Sequence, residues 1–161
     1  MRVIKDRQIV DDDWQLLPAG ASIPDAGDVI IGVAEWNADP DAYARRAGRT
    51  GVRLQSDELP EEIVSLERLP LIAIEFPKFG DGRGYSSARL LRDRHQYRGE
   101  LRAVGEVLRD QLFYMTRCGF DSFALKAGKD IEGALSAFDD FSVTYQAGAD
   151  DPRPLFRRIS R

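Results

Sequence analysis

Leu71-Ile72-Ala73-Ile74-Glu75-Phe76-Pro77-Lys78-Phe79-Gly80-Asp81-Gly82-Arg83-Gly84-Tyr85-Ser86 carries the reading of the fold. Its first four residues are all apolar, which predicts a central parallel strand covered on both faces. The glycine-punctuated loop after Phe76 then leads into a helix over Ser86–Gln96. The pattern repeats: a strand at Glu100–Val104, a helix over Glu106–Cys118 stopped by Gly119, and a strand at Phe120–Leu125. Leu108, Leu112, Met115 and Cys118 fall at i, i+4, i+7 and i+10, the stripe of a helix laid on a sheet. Gly119 suits a left-handed helix stop.

Working back from Leu71, Pro60–Leu69 reads as a helix and Gly51–Gln55 as a strand. A further helix opens at Asp39-Pro40, with Asp39 as N-cap and Pro40 in the first turn, and ends near Gly48. Val29–Ala34 reads as the first strand of the repeat. Working forward, Asp130 caps a helix to about Phe138, and Phe141–Tyr145 reads as a sixth, edge strand. Strands recurring about every 20 to 30 residues with helices between them give an α/β fold with a parallel sheet. The spacing fits an open sheet with helices on both faces and a partial (β/α) barrel equally, and both stay open. The expected organisation is an N-terminal arm or hairpin and loop over 1–27, one α/β domain over 28–149, and a charged tail over 150–161.

The chain has 161 residues, 43% of them apolar and 31% charged, as in an ordinary one-domain globular protein. A net charge of −4 argues against general nucleic-acid binding. No apolar run approaches the ~20 residues of a membrane span. Met1–Asp6 lacks the apolar centre of a signal peptide, so the expected location is cytoplasmic. One cysteine, Cys118, and one histidine, His95, cannot supply an intramolecular disulfide, a cysteine-rich zinc site or an iron–sulfur ligand set. No metal and no cofactor is therefore expected. Cys118 reads as core and His95 as a cation at a helix C-terminus.

In either architecture ligands bind beyond the carboxyl ends of the strands. Glu75 and Asp57 are the acid–base candidates there, although no catalytic motif fixes a reaction. Gly82, Arg83, Gly84, Tyr85 and Ser86 could form an anion nest at a helix start. Arg83 would add a fork, and Arg102 is a second candidate ligand. The same loop reads equally well as a tight turn capped by Ser86 or Ser87. Gly-Asp-Gly-Arg-Gly is neither a P-loop nor a dinucleotide fingerprint. Arg89, Arg92, Arg94 and Arg98 form a dense arginine cluster in an acidic chain, read as a docking patch or as a solvated helix face. Phe113 and Tyr114 cannot share a face with Met115, and one of them points to a second surface such as a homodimer interface.

Two longer motifs, Phe76-Pro77-Lys78-Phe79-x-Asp81-Gly82-Arg83-Gly84-Tyr85-Ser86 and Gly99-Glu100-Leu101-Arg102-Ala103-Val104-Gly105-x-Val107-Leu108-x-Asp110-Gln111-Leu112, resemble a proteobacterial family. Arg117-x-Gly119-Phe120-Asp121 fits it too. That family is a domain of unknown function, sometimes labelled a probable oxidoreductase. Its members are typically encoded beside sulfite reductase and other assimilatory sulfate-reduction genes. The resemblance runs from about Asp28 to Tyr145 and implies a pathway, sulfur assimilation, rather than a reaction. Asp81, Arg83, Tyr85, Ser86, Glu100, Arg102, Asp110 and Gln111 are the signature positions. The leading expectation is a cofactor-free accessory protein of sulfite reduction that binds sulfite reductase or a neighbouring enzyme. The alternative is a small α/β enzyme or binding protein for a sulfur oxyanion or a phosphorylated metabolite.

Overall fold

In the computed structural model, which describes residues 1–158, the chain opens with a hairpin. Its strands are β1 (Arg2–Lys5) and β2 (Gln8–Asp11). Asp6 and Arg7 between them both take positive φ, the backbone of a two-residue turn that matches strand twist. The short β3 (Gln15–Leu16) follows. Next come β4 (Val29–Gly32), α1 (Val33–Ala38), α2 (Pro40–Ala44) and β5 (Thr50–Leu54). The central units are β6 (Leu71–Phe76), α3 (Arg83–Asp93) and β7 (Glu100–Gly105). The chain then forms α4 (Leu112–Cys118), β8 (Ser122–Phe123), α5 (Ile131–Ala134) and α6 (Leu155–Arg158).

All eight strands join one sheet in the order β2-β1-β8-β7-β6-β5-β4-β3. From β3 to β8 each strand pairs in parallel with its successor in sequence. Crossovers of one hand between successive neighbours put every connection on the same face. The sheet therefore curls into a half-barrel with its helices outside, and of the two architectures open to the sequence it is the partial barrel. The hairpin closes one edge by pairing β1 antiparallel to β8, with Ile4 opposite Phe123. The segment read as an arm thus supplies three strands of the sheet.

Alternation along the strands sorts the core into two layers. Val52, Leu54, Ile72, Ile74 and Phe76 face the helices and meet Trp36, Ala88, Leu91 and Met115. The concave layer is smaller: Val3, Ile30, Leu71, Ala73, Val104 and Ala124, covered by Val10 and Trp14. Small residues suit the inside of a curve, where side chains from neighbouring strands converge.

Several elements differ from the sequence reading, each for a local reason. The first strand of the repeat stops at Gly32, and Val33–Ala38 turns into helix so that Trp36 can be buried. Its indole N–H donates to the Val64 carbonyl at 2.6 Å. Pro60–Leu69 is two 3-10 turns, Pro60–Glu62 and Leu66–Arg68, separated by Ser65 at φ 51°. Glu62 accepts the Leu59 N–H and so starts the first turn. Helix α3 begins three residues earlier than Ser86 and ends at Asp93. A Cβ on Gly84 would lie 2.7 Å from the Phe76 ring, so glycine is what lets the helix rest on β6. The helix expected from Glu106 begins only at Leu112, after a 3-10 turn at Arg109–Gln111. Leu112 and Met115 are buried as expected, while Val107 takes the enclosed place and Leu108 is half-buried. Gly119, at φ 112°, ends α4. Residues 141–145 form no strand, and the tail makes the short α6. No helix among the described residues is long and apolar enough to cross a membrane.

Candidate functional site

The glycine loop is internally braced. The Asp81 carboxylate accepts the Arg83 backbone N–H at 3.2 Å and pairs with its guanidinium at 2.7 Å. Arg83 also donates to Ser56 Oγ at 3.0 Å. The hydrogen bonds from Arg83 hold the Asp81 carboxyl well below the usual carboxylate range. Gly82 is exposed and Gly84 buried. Tyr85 is wedged between Phe76 and Tyr114, each ring centroid 5.2 Å away. Burial raises its phenol above the ordinary value. Asp57 lies exposed in the turn beside Ser56.

The arginines on α3 and just beyond its C-terminus divide into two kinds. Arg92 is a half-buried clamp: it donates to the carbonyls of Gly119, Tyr97 and Gly99 and pairs with Asp121 at 2.7 Å. Burial, outweighing Arg92, raises the Asp121 carboxyl. Arg89, Arg94 and Arg98 are surface groups, bonded to Asp93, Glu61 and Gln96 respectively.

Arg102 lies on the concave face, 2% exposed, and every branch of it is used. It grips Asp12 through both terminal amines at 2.8 and 2.7 Å and also bonds Glu100 and Ser122. Lys5 holds the other side of Glu100 at 2.6 Å. Burial alone would raise the Glu100 carboxyl, but these cationic partners and Ser122 outweigh it and hold it below its ordinary value. Glu75 faces Arg53 instead, with Oε2 3.6 Å from Nε. The structure therefore gives Glu75, Arg83 and Arg102 separate partners and does not assemble them in one pocket. Among the described residues no group of three or more histidine, cysteine, aspartate or glutamate side chains converges as a metal site.

Two concavities offer room for something larger. On the helix side, α3, α4 and residues 141–148 enclose a groove of about 870 Å³. Aromatic contacts tie its walls together: Tyr85 to Tyr114, and Phe113 to Phe141 at 4.9 Å. Tyr114, Phe141, Val143 and Tyr145 are 59%, 63%, 61% and 71% exposed, so the groove presents apolar area to solvent. Arg89 and Arg117 line it, and Arg117 is anchored by Asp150 and Thr144. Cys118 reaches the groove floor, but burial pushes its thiol up and weakens it as a nucleophile. The second concavity, about 710 Å³, lies at the mouth of the half-barrel, between Trp14, Leu16 and Ile30 on one side and Val104 and Ala124 on the other. Lys126 and Lys129 stand at its rim.

Sequence reasoning located Tyr85, Ser86, Arg89 and Tyr114 of the groove but read its other wall, 141–145, as a strand. It passed over Arg53, because one arginine in a strand looks like an ordinary solvated position. Only the register, which sets Arg53 between Gly32 and Ala73, distinguishes it. In comparison with known proteins, a family model described as bacterial protein of unknown function (DUF934) matches residues 51–156. No curated protein and no solved structure matches the chain.

Proposed function

The chain belongs to the DUF934 family of bacterial proteins of unknown function, and from that premise we propose that it is an accessory protein of assimilatory sulfite reduction. On this reading it has no cofactor of its own and works by docking sulfite reductase or a neighbouring enzyme of the pathway. The supporting observation is the groove between α3, α4 and residues 141–148. Contiguous exposed apolar surface rimmed by polar groups is uncommon on monomers and marks interaction sites. Tyrosine and arginine, the residue types enriched at binding hot spots, both line it: Tyr114 and Tyr145 beside Arg89 and Arg117. The pathway comes from the family resemblance, whose members are encoded beside sulfite reductase.

Titration calorimetry with purified sulfite reductase tests the reading. The expected result is a saturable complex that the double substitution Tyr114→Glu, Tyr145→Glu weakens at least tenfold while the protein's melting temperature holds. Absence of binding to sulfite reductase and to the other enzymes of the pathway would remove the docking function. A dimer held through the groove, with no binding to those enzymes, would replace docking by self-association.

A further inference from the structure

The concave face carries two arginines in one row of the sheet, with only Ala73 between them. Arg53 pairs with Ala73, and Ala73 pairs with Arg102. Arg102 has every donor branch bonded, to Asp12, Glu100 and Ser122. Arg53 differs. Its Nε is fully enclosed without a hydrogen-bond partner, and among the described residues its guanidinium donates no hydrogen bond at all. Its side chain is only 15% exposed, so water covers little of it. A polar group taken out of water without a partner is costly, and native structures rarely leave one so. Glu75 Oε2, 3.6 Å from Nε, supplies opposite charge but stands beyond hydrogen-bond range.

Gly32 and Ala73, the register neighbours of Arg53, bring no long side chain of their own to the guanidinium. The Glu35 carboxylate lies over Gly32, a second acceptor beside Glu75. Arg53 and Glu75 are each the residue before the last in their strands, β5 and β6. They therefore stand at the carboxyl ends, where barrel-like α/β folds bind ligands. Glu75 pairs in register with Val104, which lines the 710 Å³ mouth cavity, so the pair lies beside that opening.

We propose that Arg53 and Glu75 form a binding site for a small oxyanion that keeps an acidic O–H, of the hydrogenphosphate type. The planar fork of arginine matches two oxygens of such an ion. A glutamate side chain at neutral pH is a carboxylate and can only accept hydrogen bonds. A ligand seated on Arg53 and touching Glu75 must donate a proton to that contact. Hydrogenphosphate does so. Sulfate, fully deprotonated at neutral pH, sets an acceptor and a like charge against Glu75. A site built around a buried polar group strongly rejects the analogue that leaves it unpaired. The site is independent of the docking groove, which lies on the opposite face of the sheet.

Calorimetric titration of the full chain with inorganic phosphate and with sodium sulfate, at one pH and matched ionic strength, reads this out. The expected result is saturable phosphate binding and at least tenfold weaker sulfate binding. Arg53→Met should abolish phosphate binding, and Arg53→Lys, which keeps the charge without the fork, should weaken it about tenfold. Glu75→Gln carries the discriminating outcome: its amide can donate, so sulfate affinity should rise and the preference should collapse. Melting curves accompany each variant, and if Arg53→Met fails to fold, Arg53→Lys and Glu75→Gln carry the test. Equal binding of phosphate and sulfate by the unmodified protein would overturn the proposal. So would no phosphate binding at millimolar concentration, or a preference unchanged by Glu75→Gln.

Discussion

Arg89 and Arg92 stand three residues apart on α3 and do different jobs. Arg92 is 14% exposed at its side chain and bonds three backbone carbonyls from the turns around Tyr97, Gly99 and Gly119, as well as Asp121. Arg89 is 40% exposed and pairs with Asp93 one helical turn on. Arg92→Ala leaves three part-buried carbonyls without their donor and takes the cation from Asp121, which keeps the Leu101 N–H, and should cost about 2–3 kcal/mol in urea denaturation. Arg89→Ala and Arg94→Ala should stay within about 0.5 kcal/mol. Equal effects from the three would show that Arg92 is not a clamp. In sequence the four arginines of this stretch look alike, because spacing on a helix reveals the face and not the carbonyls waiting across from it. Arg53 was illegible for the same reason: its meaning depends on neighbours contributed by other strands.

Among the elements, β4 and β6 were legible because short apolar runs between turn signals leave few alternatives, and β7 because it follows Gly99 and precedes Gly105 at the spacing of the repeat. The misread elements share a physical cause. Val33 and Ala34 are apolar enough to continue the strand, and the burial of Trp36 makes Val33–Ala38 a helix. The 3-10 turns of 60–69 carry helix-forming residues but too few uninterrupted positions for an α-helix. The charge cluster on β7 was visible as Glu100 and Arg102 but not as a network with Asp12 and Lys5, which lie about ninety residues away. That network makes a pH prediction. Glu100 has a folded pKa held below its unfolded one. Its contribution is therefore fully present above the unfolded value and is lost as pH falls through the folded one. Stability followed by urea midpoints should decline below about pH 4. Glu100→Gln, which cannot titrate, should start lower at neutral pH and flatten this limb. A limb identical in the variant would exclude Glu100 as its source.

At the scale of the molecule, the hairpin and Asp12 serve as the lid of the concave face. β1 supplies the antiparallel neighbour of β8, Val3 and Val10 pack on the inner layer, and Asp12 neutralises Arg102. Removing residues 1–13 would expose that layer and break the buried Asp12–Arg102 pair, leaving Glu100 as the ionic partner of Arg102. Breaking a buried pair in this way costs roughly 3–5 kcal/mol, against a typical total of about 5–15 kcal/mol. The truncated chain should lose its near-ultraviolet circular dichroism and bind a hydrophobic dye, while retaining much of its helical signal. A truncated protein that melts cooperatively at the original temperature would show that the hairpin is dispensable.

The pairing of Ile4 with Phe123 also sets a schedule. From β4 to β7 each parallel strand finds its neighbour as soon as the next one is made, so that part of the sheet can grow in step with synthesis. The hairpin cannot dock: its partner is made some 120 residues later. At roughly 5–20 residues per second on a ribosome, Val3 and Ile4 wait on the order of ten seconds with their apolar side chains uncovered. Asp12 waits nearly as long for Arg102. β1 and β2 are thus the last to take their places, and the nascent protein carries an uncovered apolar hairpin until β8 emerges from the exit tunnel.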